Sequence, residues 1–326
     1  MVMTAVRFNC VQPGLDPAEM SARYRAFVDM AEYADANGAS MITLEEHHGA
    51  ENGWSPSPLA MAALVFGRTK NLGVTISALL LPLHDPLRVA EDIAVLDLAS
   101  GGRLTTILGI GYRPEEYAAH GKDWKTRGAL MDECIEVLLE AWTGEPFEFR
   151  GASVRVTPRP LTQPHPLVLL GGTSKVAVRR AARLGLPMFL AANLPELEAY
   201  YYEQCKEHGT QGFLMMPGAE TMMTFVAEDP DGAWKQYGEH MLHEASTYRS
   251  WQTPDIHSAV HSEAGDVDAL RKEGIYRVVT PDELVDELKA GGDGAACNLH
   301  PLVGGMPIDA GWDSLRLYCE QVLPKL

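Results

Sequence analysis

Long apolar runs and closely spaced cysteines are what this chain of 326 residues lacks. No window approaches the roughly 20 apolar residues that a membrane-spanning helix needs, and no long apolar stretch follows a charged N-terminal region, so we expect neither a membrane span nor a signal peptide. The five cysteines are far apart, in spacings that favour neither a metal site nor a disulfide framework. We therefore expect a cytoplasmic protein with reduced thiols and no metal ion.

Positive charge is also scarce. The chain has 44 acidic and 27 basic residues, for a formal net charge of −17. Such a surface repels phosphate backbones and anionic lipids, so we expect no nucleic-acid or membrane partner. Hydrophobic residues make up 46% of the chain, which is ample for a large core.

Short apolar runs alternate with longer helical patterns along the chain. The predicted strands are 5–11, 40–46, 72–80, 103–110, 167–171, 186–191, 219–227 and 294–299. The predicted helices are 18–37, 58–70, 86–99, 126–142, 174–185, 195–208, 231–247 and 309–322. Eight strand–helix units predict an α/β fold, a single (β/α)8 TIM barrel over residues 1–326, and a doubly wound sheet is the alternative.

Glycine, proline and aspartate mark the predicted helix ends. Gly38, Gly101 and Gly185 follow helical patterns, where a left-handed residue commonly ends a helix. Asp85 precedes Pro86, which predicts a capped helix start.

Two segments interrupt the alternation. Residues 144–166 are rich in glycine and proline around two short alternating runs, and they predict a hairpin insertion after the fourth strand. Residues 248–275 are polar, include His257 and His261, and precede the eighth strand. So long a loop in a compact domain is typical either of a mobile lid over a ligand or of a disordered surface loop.

Ionisable residues follow the second predicted strand, where Glu45-Glu46-His47-His48 ends an apolar run. Adjacent histidines on a strand point to opposite faces, and the helical spacing of zinc histidines is absent, so metal binding is the weakest interpretation. A structural Glu–His pair at the end of the strand is one alternative. Acid–base catalysis by an imidazole is the other, and the residues alone do not separate these two.

Small residues follow the fourth and fifth predicted strands. Gly109 and Gly111 leave room for a flat ring. Tight packing at the end of the sheet is the alternative explanation of these glycines. Gly171-Gly172-Thr173-Ser174 leads into a helix, whose free amides favour an anion. Simple helix capping by Thr173 or Ser174 explains the same pattern, so this motif is weak by itself.

Several of these segments together resemble the bacterial luciferase-like superfamily of flavin-dependent monooxygenases. They occur in the order and at the spacing of that family over roughly residues 5–200, and the last third matches more loosely. The matching segments are Leu44–His48, 71–74, Leu81–Asp92, 96–103, 127–132 and 185–188.

The resemblance implies a TIM barrel that binds a reduced flavin at the C-terminal ends of its strands. It implies that His47 is the catalytic residue and that Glu46 orients it. It also implies a cis peptide between Ser77 and Ala78 that packs on the isoalloxazine ring.

The remaining cofactor contacts are implied in the same way. Gly109 occupies the position of a cysteine near the flavin, and Gly172, Thr173 and Ser174 are expected to hold the phosphate. One departure stands out, because Ile110 occupies the position of an arginine that grips the phosphate in many relatives. Arg113 and Arg7 are candidate replacements, although Glu115 and Glu116 are close enough in the sequence to pair with Arg113. Weak binding of the phosphate is the other interpretation. The departure also leaves open a deazaflavin coenzyme.

The function implied is oxygenation. Reduced FMN, supplied by a separate flavin reductase, reacts with dioxygen to give a 4a-hydroperoxide that oxidises a small apolar substrate such as an aldehyde or a ketone. No dinucleotide-binding glycine motif occurs in the chain, which fits a separate reductase. Family precedent and the Ala-rich helix 58–66 favour a homodimer. The alternatives are deazaflavin-dependent hydride transfer, non-catalytic flavin binding and metal-dependent hydrolysis.

Overall fold

The computed structural model describes residues 2–218, 222–252, 256, 258, 260–292 and 294–326. The strands are β1 (Met3–Phe8), β2 (Met41–Leu44), β3 (Gly73–Leu80), β4 (Leu104–Gly109), β5 (Phe147–Phe149), β6 (Ala152–Val154), β7 (Leu167–Gly171), β8 (Met188–Phe189), β9 (Leu214–Met215), β10 (Met223–Val226), β11 (Tyr276–Val279) and β12 (Ala296–Leu299). The helices are α1 (Pro17–Ala36), α2 (Pro58–Phe66), α3 (Pro86–Ser100), α4 (Pro114–Ala119), α5 (Arg127–Ala141), α6 (Lys175–Leu184), α7 (Pro195–His208), α8 (Pro230–Trp251), α9 (Val267–Glu273), α10 (Pro281–Gly291) and α11 (Ile308–Leu317).

The residues group into two compact units. The first contains residues 1–56, 67–74 and 219–326, and the second contains residues 57–66 and 75–218. Both combine parallel strands with helices, so the predicted α/β class is confirmed. The single domain over residues 1–326 stays a prediction.

The first unit arranges its strands in the order β11-β10-β12-β1-β2, all parallel. Val6 of β1 lies opposite Leu299 of β12, and Phe8 lies opposite Leu44 of β2, and all four side chains are buried. Parallel strands place their C-terminal ends at the same edge. The residues that follow β1, β2 and β12 therefore meet at one edge of this unit.

The second unit carries β3 (from Thr75), β4, β7, β8 and β9 in that order. Leu108 of β4 pairs with Leu170 of β7, and Gly171 pairs with Phe189 of β8. The antiparallel hairpin β5–β6 lies within residues 144–166, so the predicted hairpin insertion is confirmed.

The predicted helix ends are also present. The carboxylate of Asp85 accepts a hydrogen bond from the backbone N–H of Leu87 at 3.0 Å and so caps α3. The helices α3 and α6 end at Gly101 and Gly185, both in the left-handed conformation.

The structure contains elements that the sequence pattern did not predict. It adds β9 and β11 and the helices α4, α9 and α10, which the sequence pattern did not predict. The strand β9 has two residues, too few for a periodic signal. Arg277 interrupts the apolar run of β11, and its Nε atom donates to Thr224 Oγ1 on β10 at 3.0 Å.

The last third of the chain differs most from the prediction. The strand expected over 219–227 is β10, Met223–Val226, and residues 219–221 lie outside the described residues. The loop predicted over 248–275 is partly helical, because α8 continues to Trp251 and α9 covers Val267–Glu273. Residues 253–255, 257 and 259, which include His257, lie outside the described residues, and the lid stays a prediction. Within the described residues, no helix is both long and apolar enough to cross a membrane.

Candidate active site

A buried group of charges lies at the strand ends of the first unit. Arg7 of β1 donates from Nε to the carboxylate of Glu45, which follows β2. Its Nη1 atom lies 3.1 Å from Glu244 Oε1 on α8, and its Nη2 atom lies 2.7 Å from the hydroxyl oxygen of Tyr248. Tyr248 in turn donates to Glu45 Oε2 at 3.0 Å. One arginine therefore ties together two strands and a helix.

Glu244 is the centre of this group, and none of its surface is exposed. Its Oε2 atom accepts from Asn9 Nδ2 at 2.6 Å and lies 2.9 Å from His300 Nε2, and its Oε1 atom accepts from Tyr276 at 3.1 Å. We call these residues the charge network: Arg7, Asn9, Glu45, Glu244, Tyr248, Tyr276 and His300. Buried charges are stable in a protein only when paired and hydrogen-bonded, and here they are.

The protonation states follow from the geometry. Burial alone would raise the pKa of the Glu244 carboxyl, but His300 and Arg7 outweigh burial and hold that pKa well below its ordinary value. Burial and the neighbouring Glu244 carboxylate raise the pKa of Tyr276 well above its ordinary value. An ionised carboxylate only accepts hydrogen bonds, so His300 Nε2 carries a hydrogen toward Glu244. Among the described residues, the Nδ1 atom of His300 has no hydrogen-bond partner.

Aromatic rings surround His47 in the same unit. We call His47, Trp54, Tyr248 and Trp251 the aromatic cluster. The ring centroid of His47 lies 4.6 Å from that of Trp251 and 5.3 Å from that of Trp54, and Trp54 lies 4.9 Å from Tyr248. Tyr248 belongs to both groups, because its ring packs in the cluster while its hydroxyl is bound in the charge network.

Backbone hydrogen bonds hold the loop that carries His47. The N–H of His47 donates to the carbonyl of Ser55 at 3.2 Å, and the N–H of Ser55 donates to the carbonyl of Asn9 at 2.9 Å. Glu46, which we expected to orient His47, has its Oε1 atom 2.8 Å from His48 Nε2. The carboxylate therefore holds His48, and its action on His47 stays a prediction.

In the second unit, the predicted cofactor residues are glycines and small side chains in or directly after β3, β4 and β7. The peptide bond between Ser77 and Ala78 is cis, as the resemblance implied. A Cβ atom placed on Gly109 would lie 2.7 Å from the Cβ of Ala78, well inside the distance of about 3.5–4.0 Å at which carbon atoms pack. The end of β4 therefore approaches residue 78 so closely that only glycine fits.

A similar close approach occurs after β7. Gly172 has a φ of +146°, which favours glycine, and a Cβ atom there would lie 2.9 Å from the Cβ of Ala177. Ser174 Oγ accepts from the N–H of Ala177 at 3.3 Å and caps α6. The expected capping is confirmed, and the start of a helix of this kind favours an anion. We call Ser77, Ala78, Gly109, Gly172, Thr173 and Ser174 the glycine cradle.

The residues of the cradle are compatible with the ring and with the phosphate of a flavin. Side-chain-free strand ends beside Ala78 suit a flat ring, and the start of α6 suits a phosphate. The two arginines considered as replacements for the one absent at Ile110 are both paired. Arg113 Nη1 lies 3.1 Å from Glu116 Oε1, as the alternative interpretation expected, and Arg7 is bound in the charge network.

Sequence reasoning missed most of the charge network. His300 directly follows a predicted strand, and that position was a signal for it. Glu244 lies between Met241 and Ala245 on the buried face of α8, and a carboxylate within an apolar stripe was a signal too.

Comparison with known proteins adds a family to this geometry. The family described as luciferase-like monooxygenase matches residues 3–297. The alkanal monooxygenase beta chain of Vibrio harveyi is 27% identical over 194 residues, which cover 56% of this chain and 59% of that protein. The chain spans about half the length of the curated relatives it matches.

Solved structures with the same fold cover nearly all of the chain. Monooxygenase RslO1 from Streptomyces bottropensis has a TM-score of 0.76 at 25% identity over 99% of both chains. The oxygenating constituent of 3,6-diketocamphane monooxygenase of Pseudomonas putida, solved with FMN, has a TM-score of 0.72 at 21% identity and covers 100% of this chain and 99% of that one. An F420-dependent secondary alcohol dehydrogenase has a TM-score of 0.65 at 16% identity, covering 99% of this chain and 98% of that one.

These likenesses confirm the predicted fold class, the α/β fold of TIM-barrel monooxygenases. The family match covers the glycine cradle and every residue of the charge network except His300. The chain belongs to the luciferase-like monooxygenase family.

Proposed function

We propose that the protein is a flavin-dependent monooxygenase that uses reduced FMN and dioxygen to oxidise a small apolar aldehyde or ketone. The glycine cradle is the observation that carries the proposal, because Gly109 and Gly172 bring the backbone so close to Ala78 and Ala177 that a Cβ would clash there. A solved relative of the same fold, a type II Baeyer–Villiger monooxygenase, was obtained in complex with FMN. FMN would supply the two electrons with which one oxygen atom enters the substrate and the other leaves as water.

Different residues of the chain would contact the flavin ring, bind its phosphate and transfer a proton. Ala78 and Gly109 would lie against the flavin ring, and the amides of Thr173 and Ser174 would hold the phosphate. His47, buried among aromatic rings, would take or give a proton during oxidation of the substrate. The apolar rings around it would exclude water from the reaction.

Oxygen isotope labelling tests this proposal. The protein is incubated with FMN, a flavin reductase, a reduced nicotinamide nucleotide and a panel of aldehydes and ketones under ¹⁸O₂. We expect one labelled oxygen atom in the product, and we expect His47→Ala to lose turnover while it still binds FMN. An unlabelled product, or unchanged turnover in the variant, would contradict the proposal. Binding of FMN with no turnover of any substrate would favour a non-catalytic flavin-binding protein.

A second candidate is hydride transfer with a deazaflavin coenzyme. Ile110 favours it, because the usual phosphate-binding arginine is absent, and an F420-dependent dehydrogenase shares the fold. The two candidates differ in their need for dioxygen. Side-by-side titrations with FMN and coenzyme F420, followed by turnover without oxygen, distinguish them.

We also propose a separate flavin reductase, a homodimer and a cytoplasmic location. Exposed apolar side chains on α2 and α3, Leu64, Val95 and Leu98, support the homodimer. The five cysteines are free and buried, which fits a reducing compartment. Sedimentation equilibrium tests the dimer, and twice the mass of the chain is the expected result.

A further inference from the structure

The indole of Trp54 has a donor without an acceptor in the part of the chain that the structure describes. Trp54 is only 2% exposed, and its Nε1 atom has no hydrogen-bond partner among the described residues. Burying an N–H group without a partner costs free energy, and most buried tryptophans avoid that cost. Trp142 shows the usual arrangement in the second unit, because its Nε1 atom donates to the carbonyl of Ala90 at 3.1 Å.

The surroundings of this donor are aromatic. The ring of Trp54 lies 5.3 Å from His47, 5.3 Å from Trp251 and 4.9 Å from Tyr248, each measured between ring centroids. The aliphatic side chains packed on the same cluster are Ala50, Val11 and Val260. Faces and edges of rings are therefore the main surface that this region offers to a ligand.

Hydrogen bonds from the charge network hold one ring of the cluster in place. The hydroxyl of Tyr248 accepts from Arg7 Nη2 at 2.7 Å and donates to Glu45 Oε2 at 3.0 Å. These bonds hold the tyrosine by its hydroxyl against buried, charged partners, so the ring cannot be displaced without breaking the charge network. Trp251, by contrast, is partly exposed and is the last residue of α8. A ligand that displaces one ring would displace Trp251.

A ligand that complements this region must be flat, rich in π electrons and equipped with one acceptor. Aromatic rings pack on each other with a favourable geometry that an alkyl chain does not share. An unpaired buried N–H selects strongly for a ligand that carries an acceptor. Among small apolar aldehydes and ketones, an aromatic carbonyl compound meets both conditions, and an aliphatic one meets only the second.

We propose that the aromatic cluster binds a planar aromatic ketone or aldehyde whose carbonyl oxygen accepts a hydrogen bond from Trp54 Nε1. The inference rests on the proposed function, since His47 is there the acid–base group, and it names the substrate class of that site. Trp54 is then a determinant of specificity, and the carbonyl carbon is held beside the imidazole of His47.

Calorimetric titration without a reductase tests the proposal in the FMN-loaded protein. The probes are 2-acetonaphthone, 2-ethylnaphthalene, which lacks the carbonyl, and 2-decanone, which lacks the ring. We expect 2-acetonaphthone to bind most tightly. Trp54→Phe keeps a ring but removes the donor, so it should weaken 2-acetonaphthone roughly three- to tenfold and leave 2-ethylnaphthalene unchanged. Equal weakening of both naphthalenes, or equal affinity for 2-decanone, would overturn the proposal.

Nuclear magnetic resonance of the unmutated protein, labelled with ¹⁵N in its tryptophans, tests the same hydrogen bond. The indole N–H resonance of Trp54 should move further downfield with 2-acetonaphthone than with 2-ethylnaphthalene. The resonance of Trp142 should not move, because its N–H is already bonded to Ala90. A Trp54 resonance that responds equally to both ligands would contradict the proposal even if Trp54→Phe fails to fold.

The two proposals fail in different ways. Absence of binding by 2-acetonaphthone, together with labelled oxygen in the product from an aliphatic aldehyde, would reject the aromatic substrate and keep the monooxygenase. Tight binding of 2-acetonaphthone without any oxygenation would keep the binding site and reject the reaction.

Discussion

The charge network and the glycine cradle are formed by opposite kinds of groups. The network consists of long polar side chains from β1, β2, α8, β11 and the end of β12, and its members are buried and bonded to each other. The cradle consists of backbone and small side chains, which approach so closely at Gly109 and Gly172 that a Cβ would clash. Charges build the first region, and close approach of the chain builds the second.

This difference teaches how each region tolerates change. Removing one charge from the network leaves its partners buried and unpaired, so the loss is electrostatic. Adding one methyl group to the cradle creates a clash, so the loss is steric. Substitutions that remove atoms should therefore damage the first region most, and substitutions that add atoms should damage the second.

The largest effect is expected at Glu244. Glu244→Leu leaves Arg7, His300 and Tyr276 without their shared acceptor, so we expect the free energy of unfolding to fall by about 3–5 kcal/mol. Urea denaturation measures this. The control is Glu32→Ala, which removes an exposed partner of Arg68 and should leave the midpoint almost unchanged. Similar midpoints for both variants would show that the network does not contribute to stability.

A smaller loss is expected at Gly109. The Cβ of Gly109→Ala would lie 2.7 Å from the Cβ of Ala78, and overpacking of this kind costs about 1–3 kcal/mol. The matched control is Gly218→Ala in the same unit, where a Cβ meets no atom of the described residues within 4 Å. Urea midpoints of the two variants decide the question. If Gly109→Ala is as stable as the control, the cradle is less tightly packed than the structure indicates.

Acid should weaken the network gradually. The folded-state pKa of Glu244 lies below its ordinary value of 4.5, so its ionised form stabilises the protein above about pH 4.5. That contribution is lost as the pH falls below this value, by at most about 1.4 kcal/mol per pH unit. Comparison of the protein with Glu244→Gln from pH 7 to pH 3 isolates it from other carboxylates. Parallel stability curves would assign the acid sensitivity to other groups.

The smallest effect is expected at the start of α6. Ser174→Ala removes the cap on the N–H of Ala177 and should cost about 1 kcal/mol. Ser174→Asn keeps a capping oxygen and should restore most of the loss. Thermal unfolding of the three proteins measures both effects, and an Ala variant as stable as the Asn variant would assign Ser174 no structural part in the cradle.

The two regions also differ in how far the sequence predicted them. Gly109, Gly172 and Ser174 were found because their positions after apolar runs have a local meaning, and the cis peptide at Ser77–Ala78 was implied by family resemblance. The partners of Arg7 were not found. Glu45 is 38 residues away and Glu244 is 237 residues away, and no local pattern connects residues at such separations.

Strands and helices, too, were predicted where a local sequence pattern specifies them. Long periodic segments such as α1, α3 and α7 were predicted to within one or two residues, because a repeated apolar stripe specifies a helix. The strands β9 and β11 were missed, since one is too short and the other contains Arg277, whose partner Thr224 lies on a neighbouring strand.

The sequence by itself determined the class of fold, the positions of the strand ends and the residue types that they present, because periodicity and glycine placement act over a few residues. Tertiary structure alone decided that Glu46 lies against His48, that Arg7 joins Glu45 to Glu244, and that Trp54 is buried without an acceptor among the described residues. Those facts depend on burial and on distances between elements far apart in the chain. The free energy of a buried charge or donor is set by its neighbours in space rather than by its neighbours in sequence.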